Sequence, residues 1–282
     1  MSDKFPLVKK RDLGDVIQHT IKLLSSEQAK VLWRNILLYA LPIYLVGGFF
    51  LGQFQLDMQE VLPELQNGGI TSIEEMMEAL TKVFGFHYYM VVLFAIASSA
   101  LLTAFTYNFM AAYHQSPSGE IESEALRSHS FSDILWMVGF QLLLGFIIGL
   151  GLLFFLVPGI YLAILLSILV AVAKIENLHF SDAFTRCREL MRDNWFNTLL
   201  VVLVTAVLVG IVSSIAGSIL QAIFLLIDKN KGMVFASVLQ NALAGGLSTF
   251  SIVAICLQYF NLRAIYEGEE DAINRDIEEI GK

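Results

Sequence analysis

The chain has 282 residues, of which 56% are hydrophobic and 16% are charged, and its formal net charge is −8 at pH 7. Soluble domains are nearer half apolar and a quarter charged. The mean hydropathy of +0.66 excludes a disordered chain, and the acidic balance excludes a nucleic-acid-binding protein with a basic face. The composition therefore predicts an all-α integral membrane protein.

The first predicted element is a cytoplasmic segment, residues 1–30, that precedes the membrane domain. It lacks the apolar stretch and cleavage site of a secretory signal peptide. Its helical periodicity predicts an amphipathic helix at the inner membrane surface. The apolar face of this helix is formed by Leu13, Val16, Ile17, Thr20 and Leu24.

The membrane domain is predicted at 31–266, because about 20 apolar residues cross a bilayer as a helix. The third and fourth spans come from one charge-free run, 134–173, which is too long for a single span. Pro158 and Gly159 near its centre predict the tight turn of a helical hairpin, and the alternative is one long kinked helix. The six predicted spans are 36–54, 88–113, 134–156, 159–175, 195–220 and 238–262.

Between the first two spans, residues 57–86 predict a small extracytoplasmic helical cap. Thr71-x-x-Glu74 and Ser72-x-x-Glu75 are overlapping capping boxes. The apolar stripe that follows indicates either a lid packed on its own spans or a docking surface for an external partner. This stripe comprises Ile73, Met76, Met77, Leu80, Val83 and Phe84.

After the fourth span, residues 177–194 predict a second cytoplasmic surface helix. Ser181 is a natural N-cap and Asp182 suits the first turn. Glu176 is expected to pair with Lys174 or with an arginine of the surface helix, or to act as a hinge that fixes the helix against the spans. The apolar face comprises Phe180, Ala183, Phe184, Cys187, Leu190 and Met191, and the predicted anchor comprises Glu176, Arg186 and Arg192.

The distribution of basic residues predicts that both termini are cytoplasmic. With six spans and that orientation, 15 of the 18 Lys and Arg residues fall on the inner side. The acidic segment 267–282 is then a cytoplasmic tail. It is expected to be either solvated or a peptide that docks on a basic partner.

The stretch 157–199 reads V-P-G-I-Y-L at its start, S-D-A-F and C-R-E-L-M in the surface helix, and N-W-F before the fifth span. It resembles the membrane domain found with some bacterial glycerophosphoryl diester phosphodiesterases, and related multi-span bacterial membrane proteins of unknown function. The matching residues are Pro158, Gly159, Ile160, Glu176, Ser181 and Trp195, and Cys187 stands near the family's second Ser. The resemblance implies a bacterial membrane protein. It does not imply phosphodiesterase activity, because the catalytic domain of those enzymes is a soluble barrel.

Uncharged polar residues are the candidates for a membrane site. Ion pumps usually carry charged residues in the middle of a span, and no charged residue falls well inside a predicted span of this chain. A polar cavity is predicted at Gln141, Gln240 and Asn241. The last two residues lie beside Ala244-Gly245-Gly246, which is predicted to be an unwound glycine segment. The alternative is hydrogen bonding between closely packed helices.

Catalytic and metal-binding signatures are absent from the sequence. The five histidines have no metal-ligand spacing, and no nucleophile motif or P-loop is found. We therefore expect a non-enzymatic inner-membrane protein without catalytic residues, cofactor or metal. Its expected partners are membrane lipids and a membrane or cytoplasmic protein, not nucleic acid. The primary hypothesis is a scaffold or accessory subunit; the alternatives are a transporter or channel for a lipid or small uncharged solute, and an accessory to a lipid-handling enzyme.

Overall fold

The computed structural model describes residues 4–66, 72–154 and 156–280, and every element of regular structure in them is helical. A π-helical segment, Ile36–Ala40, lies between the second and third α-helices. The α-helices are α1 (Leu13–Leu24), α2 (Ala29–Asn35), α3 (Leu41–Gln66), α4 (Ile73–Val83), α5 (Phe86–Gln115), α6 (Ser123–Ser132), α7 (Ile134–Phe154), α8 (Leu156–Ser167), α9 (Leu169–Ile175), α10 (Phe180–Met191), α11 (Trp195–Leu225) and α12 (Lys229–Ile280).

Six helical segments in the described chain are long and apolar enough to cross a membrane. This confirms the predicted number of spans and the all-α class. Five of the predicted spans lie within one of these segments, and the third, predicted at 134–156, corresponds to the shorter segment Ile134–Phe154. The six segments are Ala29–Pro63, Ile73–Gln115, Ile134–Phe154, Leu156–Ile175, Trp195–Leu225 and Lys229–Gly268.

The long charge-free run folds as two helices, α7 and α8, so the alternative of one kinked helix is wrong. The predicted turn at 157–159 is also wrong in position. Pro158 is the third residue of α8, where a helix leaves its N–H groups unpaired and a proline is tolerated. Gly159 packs against α7, because a Cβ there would lie 2.6 Å from the carbonyl carbon of Gly151. Close packing of the two helices, rather than the turn, explains the glycine.

The π-helical segment Ile36–Ala40 precedes a proline. Pro42 has no N–H to donate to the carbonyl of Leu38, and its ring would clash with that carbonyl in a regular α-helix. A π-helical turn widens the backbone at this point and lets the helix continue. Hydropathy alone predicts the span here but not this local change.

The described chain divides into two compact units. Unit 1 contains Met1–Arg34, Thr103–Leu208 and Thr249–Lys282, and unit 2 contains Asn35–Leu102 and Val209–Ser248. Unit 1 holds α1, nearly all of α2, and α6 to α10, with portions of the three longer helices α5, α11 and α12. Its core is dominated by large buried side chains, namely Leu23, Leu32, Phe105, Phe109, Tyr113, Met137, Tyr259 and Phe260.

Helix α10 lies against the core of unit 1. The predicted apolar face is buried at Ala183, Cys187, Leu190 and Met191, so this face packs on protein. Ser181 is not the N-cap as predicted; His179 occupies that position without a side-chain hydrogen bond, whereas Asp182 does lie in the first turn. The exposed face of α10 is polar and charged.

In unit 2, α3 packs closely on α12 through two glycines spaced as G-x-x-x-G. A Cβ on Gly48 would lie 2.6 Å from the Cα of Val238, and one on Gly52 would lie 2.7 Å from the Cα of Val234. Small residues at this spacing let two helix backbones approach each other. The α12 backbone is helical through Gly245, so the predicted unwound glycine segment is wrong.

Helix α4 of unit 2 begins as predicted. Ser72 is its N-cap and forms a complete capping box with Glu75; the Thr71 half of the predicted pair lies outside the described residues. The apolar stripe of α4 is exposed at Ile73, Met76, Met77, Leu80 and Phe84. This exposure favours the docking-surface alternative over a lid packed on the protein's own spans, and both interpretations stay predictions.

Candidate functional site

Glu176 is the centre of a polar cluster in unit 1 that joins three helices. It caps the C-terminal end of α9, and Asn177 follows in the left-handed region with φ 53°, which asparagine tolerates better than most residues. The carboxylate accepts a hydrogen bond from Tyr259 Oη at 2.8 Å. It also pairs with Arg186 Nε at 3.2 Å. The predicted pairing with an arginine of the surface helix is confirmed.

Arg186 is held on several sides. Its guanidinium lies 3.6 Å from the carboxylate of Glu189 and 4.9 Å from the centroid of the Tyr266 ring. Burial lowers the pKa of Arg186, but the Glu176 and Glu189 carboxylates outweigh that effect, so the pKa is raised above its usual value. The side chain therefore stays charged and ties α10 to α9. Arg192 is exposed at the end of α10 and forms no ion pair within the described chain, so it does not belong to this anchor.

A second ion pair joins the two ends of the α7–α9 hairpin. Lys174 pairs with Asp133, the residue before α7, so the predicted pairing of Lys174 with Glu176 is wrong. Asn108 Nδ2 donates to the same Asp133 oxygen at 2.8 Å. The Lys174 ammonium lies 5.3 Å from the Trp136 ring centroid. Sequence reasoning missed Asp133, although the hairpin brings residues 133 and 174 to the same end.

A cavity of about 470 Å³ lies in unit 1 beside α1, α11 and α12. It is lined by Lys10, Arg11, Asp12, Leu13, Asn197, Leu200, Val201, Gln258, Asn261 and Ile265. Its volume falls in the range of about 300–1,000 Å³ that is usual for small-molecule sites. The lining combines two cations, one carboxylate, three amides and four apolar side chains.

One wall of the cavity is a chain of buried amides. The backbone N–H of Arg11 donates to Asn261 Oδ1 at 2.7 Å. Asn261 Nδ2 donates to Gln258 Oε1 at 3.2 Å, and Gln258 Nε2 donates to Thr198 Oγ1 at 3.0 Å. Because a backbone N–H can only donate, its bond fixes the orientation of both side-chain amides in turn. This wall is rigid and joins the N-terminal segment to α11 and α12.

Arg11 is the only charged side chain that is buried within the described chain, with 7% of its surface exposed. Its donors reach the carbonyl oxygens of Pro6, Leu7 and Lys9 and the ring nitrogen Nδ1 of His19. No carboxylate of a described residue lies within 4.0 Å of it. Burial lowers the pKa of Arg11, and the more distant Asp15 raises it.

The three residues of the predicted membrane cavity fall in different units. In unit 1, Gln141 Nε2 donates to Thr103 Oγ1 at 3.1 Å. In unit 2, Asn241 Nδ2 donates to the Tyr44 carbonyl at 2.7 Å. Gln240 contacts α11, because a Cβ on Gly217 would lie 2.6 Å from its Nε2. These contacts favour the alternative interpretation, in which the amides bridge packed helices.

The described chain is thus an all-helical protein with six membrane-length apolar segments and a polar cavity beside the N-terminal segment. Comparisons with protein-family models, with curated proteins and with solved structures find no match. Within the described residues, no group of three or more His, Cys, Asp and Glu side chains is placed to hold a metal ion. The resemblance of 157–199 to the phosphodiesterase-associated membrane domain stays a prediction.

Proposed function

We propose that this protein is a non-enzymatic scaffold or accessory subunit of a complex in the bacterial inner membrane, with both termini in the cytoplasm. The orientation is supported by the 15 Lys and Arg residues that it places inside. Its single most informative feature is α10. The helix is fixed by Glu176 and by a buried apolar face, and it presents a charged face outward.

A docking surface benefits from such rigidity, because a preorganised surface loses less conformational entropy on binding than a mobile one. The exposed face of α10 carries Asp182, Arg188, Glu189 and Arg192. Charges of both signs provide specificity and orient a partner more than they add affinity. A cytoplasmic protein with a complementary mixed-charge surface is the partner that fits this face.

The membrane-spanning helices leave room for protein or lipid neighbours. In α7 and in α11, only 11% of the most apolar 18-residue stretch is buried within the protein. Gly145 and Gly149 lie on the exposed surface of α7, with no side chain or neighbouring backbone near the position of a Cβ. Transport is a weaker proposal, because Gln141 and Asn241 already hydrogen-bond to neighbouring helices.

Mild extraction of the full-length protein from its native membrane, followed by mass spectrometry, tests the scaffold proposal. We expect the unsubstituted protein to co-purify with a protein partner in a stoichiometric amount. The double substitution Arg188→Glu and Arg192→Glu should reduce its recovery, since both side chains are exposed and without ion pairs in the described chain.

The matched control is Lys229→Glu with Lys231→Glu, which changes the net charge equally but lies outside α10. This variant should retain the partner. Equal loss of the partner in both variants would mean that net charge, not the α10 face, controls recovery. A homogeneous protein that carries a defined solute and no protein partner would replace the scaffold proposal with transport.

A further inference from the structure

The cavity beside Arg11 has the chemistry of an anion site that opens on apolar surface. We propose that it binds the phosphodiester head group of an anionic phospholipid from the cytoplasmic leaflet. This inference goes beyond the scaffold role and does not depend on it, because it concerns a different surface of unit 1; only the choice of the cytoplasmic leaflet rests on the proposed orientation.

The first argument is uncompensated positive charge. Arg11 is buried and donates to neutral acceptors only, and its guanidinium carbon lies 5.6 Å from the centroid of the Phe5 ring, a cation–π contact. No carboxylate of a described residue pairs with it, and a buried charge without a counter-ion is destabilising. Lys10 lies beside it, exposed, and forms no hydrogen bond or ion pair with the described chain. Asp12 is the only acidic residue in the lining, and its carboxylate already caps α1 by accepting from the Asp15 N–H at 2.7 Å. The lining therefore carries one net positive charge, which matches the single negative charge of a phosphodiester.

The second argument is the polar wall. Gln258 and Asn261 are almost fully buried, and their amides border the cavity in a fixed orientation. Asn197 adds a third amide near the first turn of α11. Amide groups both donate and accept hydrogen bonds. They are therefore suited to the hydroxyl groups and ester oxygens that surround a lipid phosphate.

The third argument distinguishes a lipid from a soluble phosphate. Leu13, Leu200, Val201 and Ile265 provide apolar walls, which a free phosphate does not need. From the cavity, the exposed side chains of Leu203 and Val207 continue along α11 at spacings of three and four residues, so they lie on one helix face. That face forms a track for an acyl chain.

The fourth argument is depth. The cavity residues of α11 fall in the first two turns of a span, and those of α12 fall near the end of another. The ends of spans lie at the level of the lipid head groups. An anionic lipid at this depth would place its phosphate near Lys10 and Arg11 and its chains beside α11.

The test is lipid binding by the purified full-length protein in detergent micelles. Native mass spectrometry should show bound dioleoyl phosphatidylglycerol in preference to dioleoyl phosphatidylcholine. Lys10→Gln should weaken phosphatidylglycerol binding about fivefold, the usual effect of one basic residue at a lipid surface. Lys9→Gln is the matched control, because Lys9 is exposed and adjacent but does not line the cavity.

Leu200→Trp provides a second variant that leaves the charges unchanged and fills the cavity. Binding of phosphatidylglycerol by this variant should fall at least as much as it does in Lys10→Gln. The elution profile of the purified variant should be unaltered. Soluble glycerol 3-phosphate should compete only weakly. Equal effects of Lys9→Gln and Lys10→Gln, equal binding of the two lipids, or effective competition by glycerol 3-phosphate would each overturn the proposal.

Discussion

Replacement of Glu176 by Gln should release α10 from the core of unit 1. The substitution keeps the size of the side chain and an oxygen that accepts from Tyr259. It removes the charge that pairs with Arg186. Cys187, on the buried face of α10 with 0% exposure, then reports the release through its reactivity with N-ethylmaleimide.

The expected magnitude follows from the burial of the pair. The Arg186 and Glu176 side chains are 21% and 18% exposed, so their pair lies between an exposed pair, which contributes about 0–1 kcal/mol, and a fully buried one, whose disruption costs about 3–5 kcal/mol. We take about 2 kcal/mol for the loss of one partner. Local opening of α10 then becomes about 30-fold more frequent, since each 1.4 kcal/mol corresponds to about a factor of 10.

The rate at which N-ethylmaleimide labels Cys187 depends on how often α10 opens. Burial, followed by the nearby charge of Glu176, raises the pKa of the Cys187 thiol to about 12, so the packed thiol is almost entirely protonated at neutral pH. An opened α10 exposes a thiol with an ordinary pKa near 8.5, which reacts much faster. A Cys256→Ala background leaves Cys187 as the single cysteine of the chain.

Two control variants make the experiment decisive. Tyr259→Phe removes one hydrogen bond and retains the ion pair, so labelling should accelerate about fivefold, in line with about 1 kcal/mol for one bond. Arg192→Gln should leave the rate unchanged, because Arg192 is outside the anchor. An unchanged rate in Glu176→Gln, or an equal acceleration in Arg192→Gln, would refute the role of Glu176.

Two further predictions concern the N-terminal segment and the packing of unit 2. Burial and the Arg11 cation lower the pKa of His19 below its usual value of 6.5. The folded state then binds fewer protons than the unfolded state, so the free energy of unfolding decreases as the pH falls through and below 6.5. Hydrogen exchange of residues 7–20 should accelerate between pH 7.5 and 5.5 beyond the intrinsic pH effect, and His19→Gln should abolish this excess. Gly48→Ala should destabilise the protein by about 1–3 kcal/mol, because the added Cβ meets the Val238 backbone. Gly246→Ala, with open space at that position, should be neutral or stabilising by up to about 1 kcal/mol. Thermal unfolding in detergent separates the two variants. A change in stability of the same sign in both variants would contradict the packing argument.

The spans were predictable because length and hydropathy are local properties of the sequence. A charge-free run of twice the length of a span requires a hairpin, and a hairpin brings Asp133 and Lys174 to one end. That ion pair could therefore have been predicted before the structure was known. The turn itself was misplaced because Pro158 fits both a turn and the first turn of a helix.

The cavity could not be predicted in the same way. Arg11 and Asn261 are 250 positions apart, and no periodicity connects the N-terminal segment with the end of α12. The amphipathic pattern of α10 identified its apolar face, but the pattern is the same whether that face meets lipid or protein. Only the packing of Cys187 and its neighbours against the core distinguishes the two.

The polar clusters of unit 1 differ in how their charges are balanced, and that difference separates structural from functional roles. Glu176 with Arg186, and Asp133 with Lys174, are complete ion pairs within the chain, so they need nothing from outside and act as ties between helices. Arg11 is more deeply buried than any of these four and has only neutral acceptors around it. A fold that pairs its less buried charges and leaves its most buried cation beside a cavity has a place for an external anion.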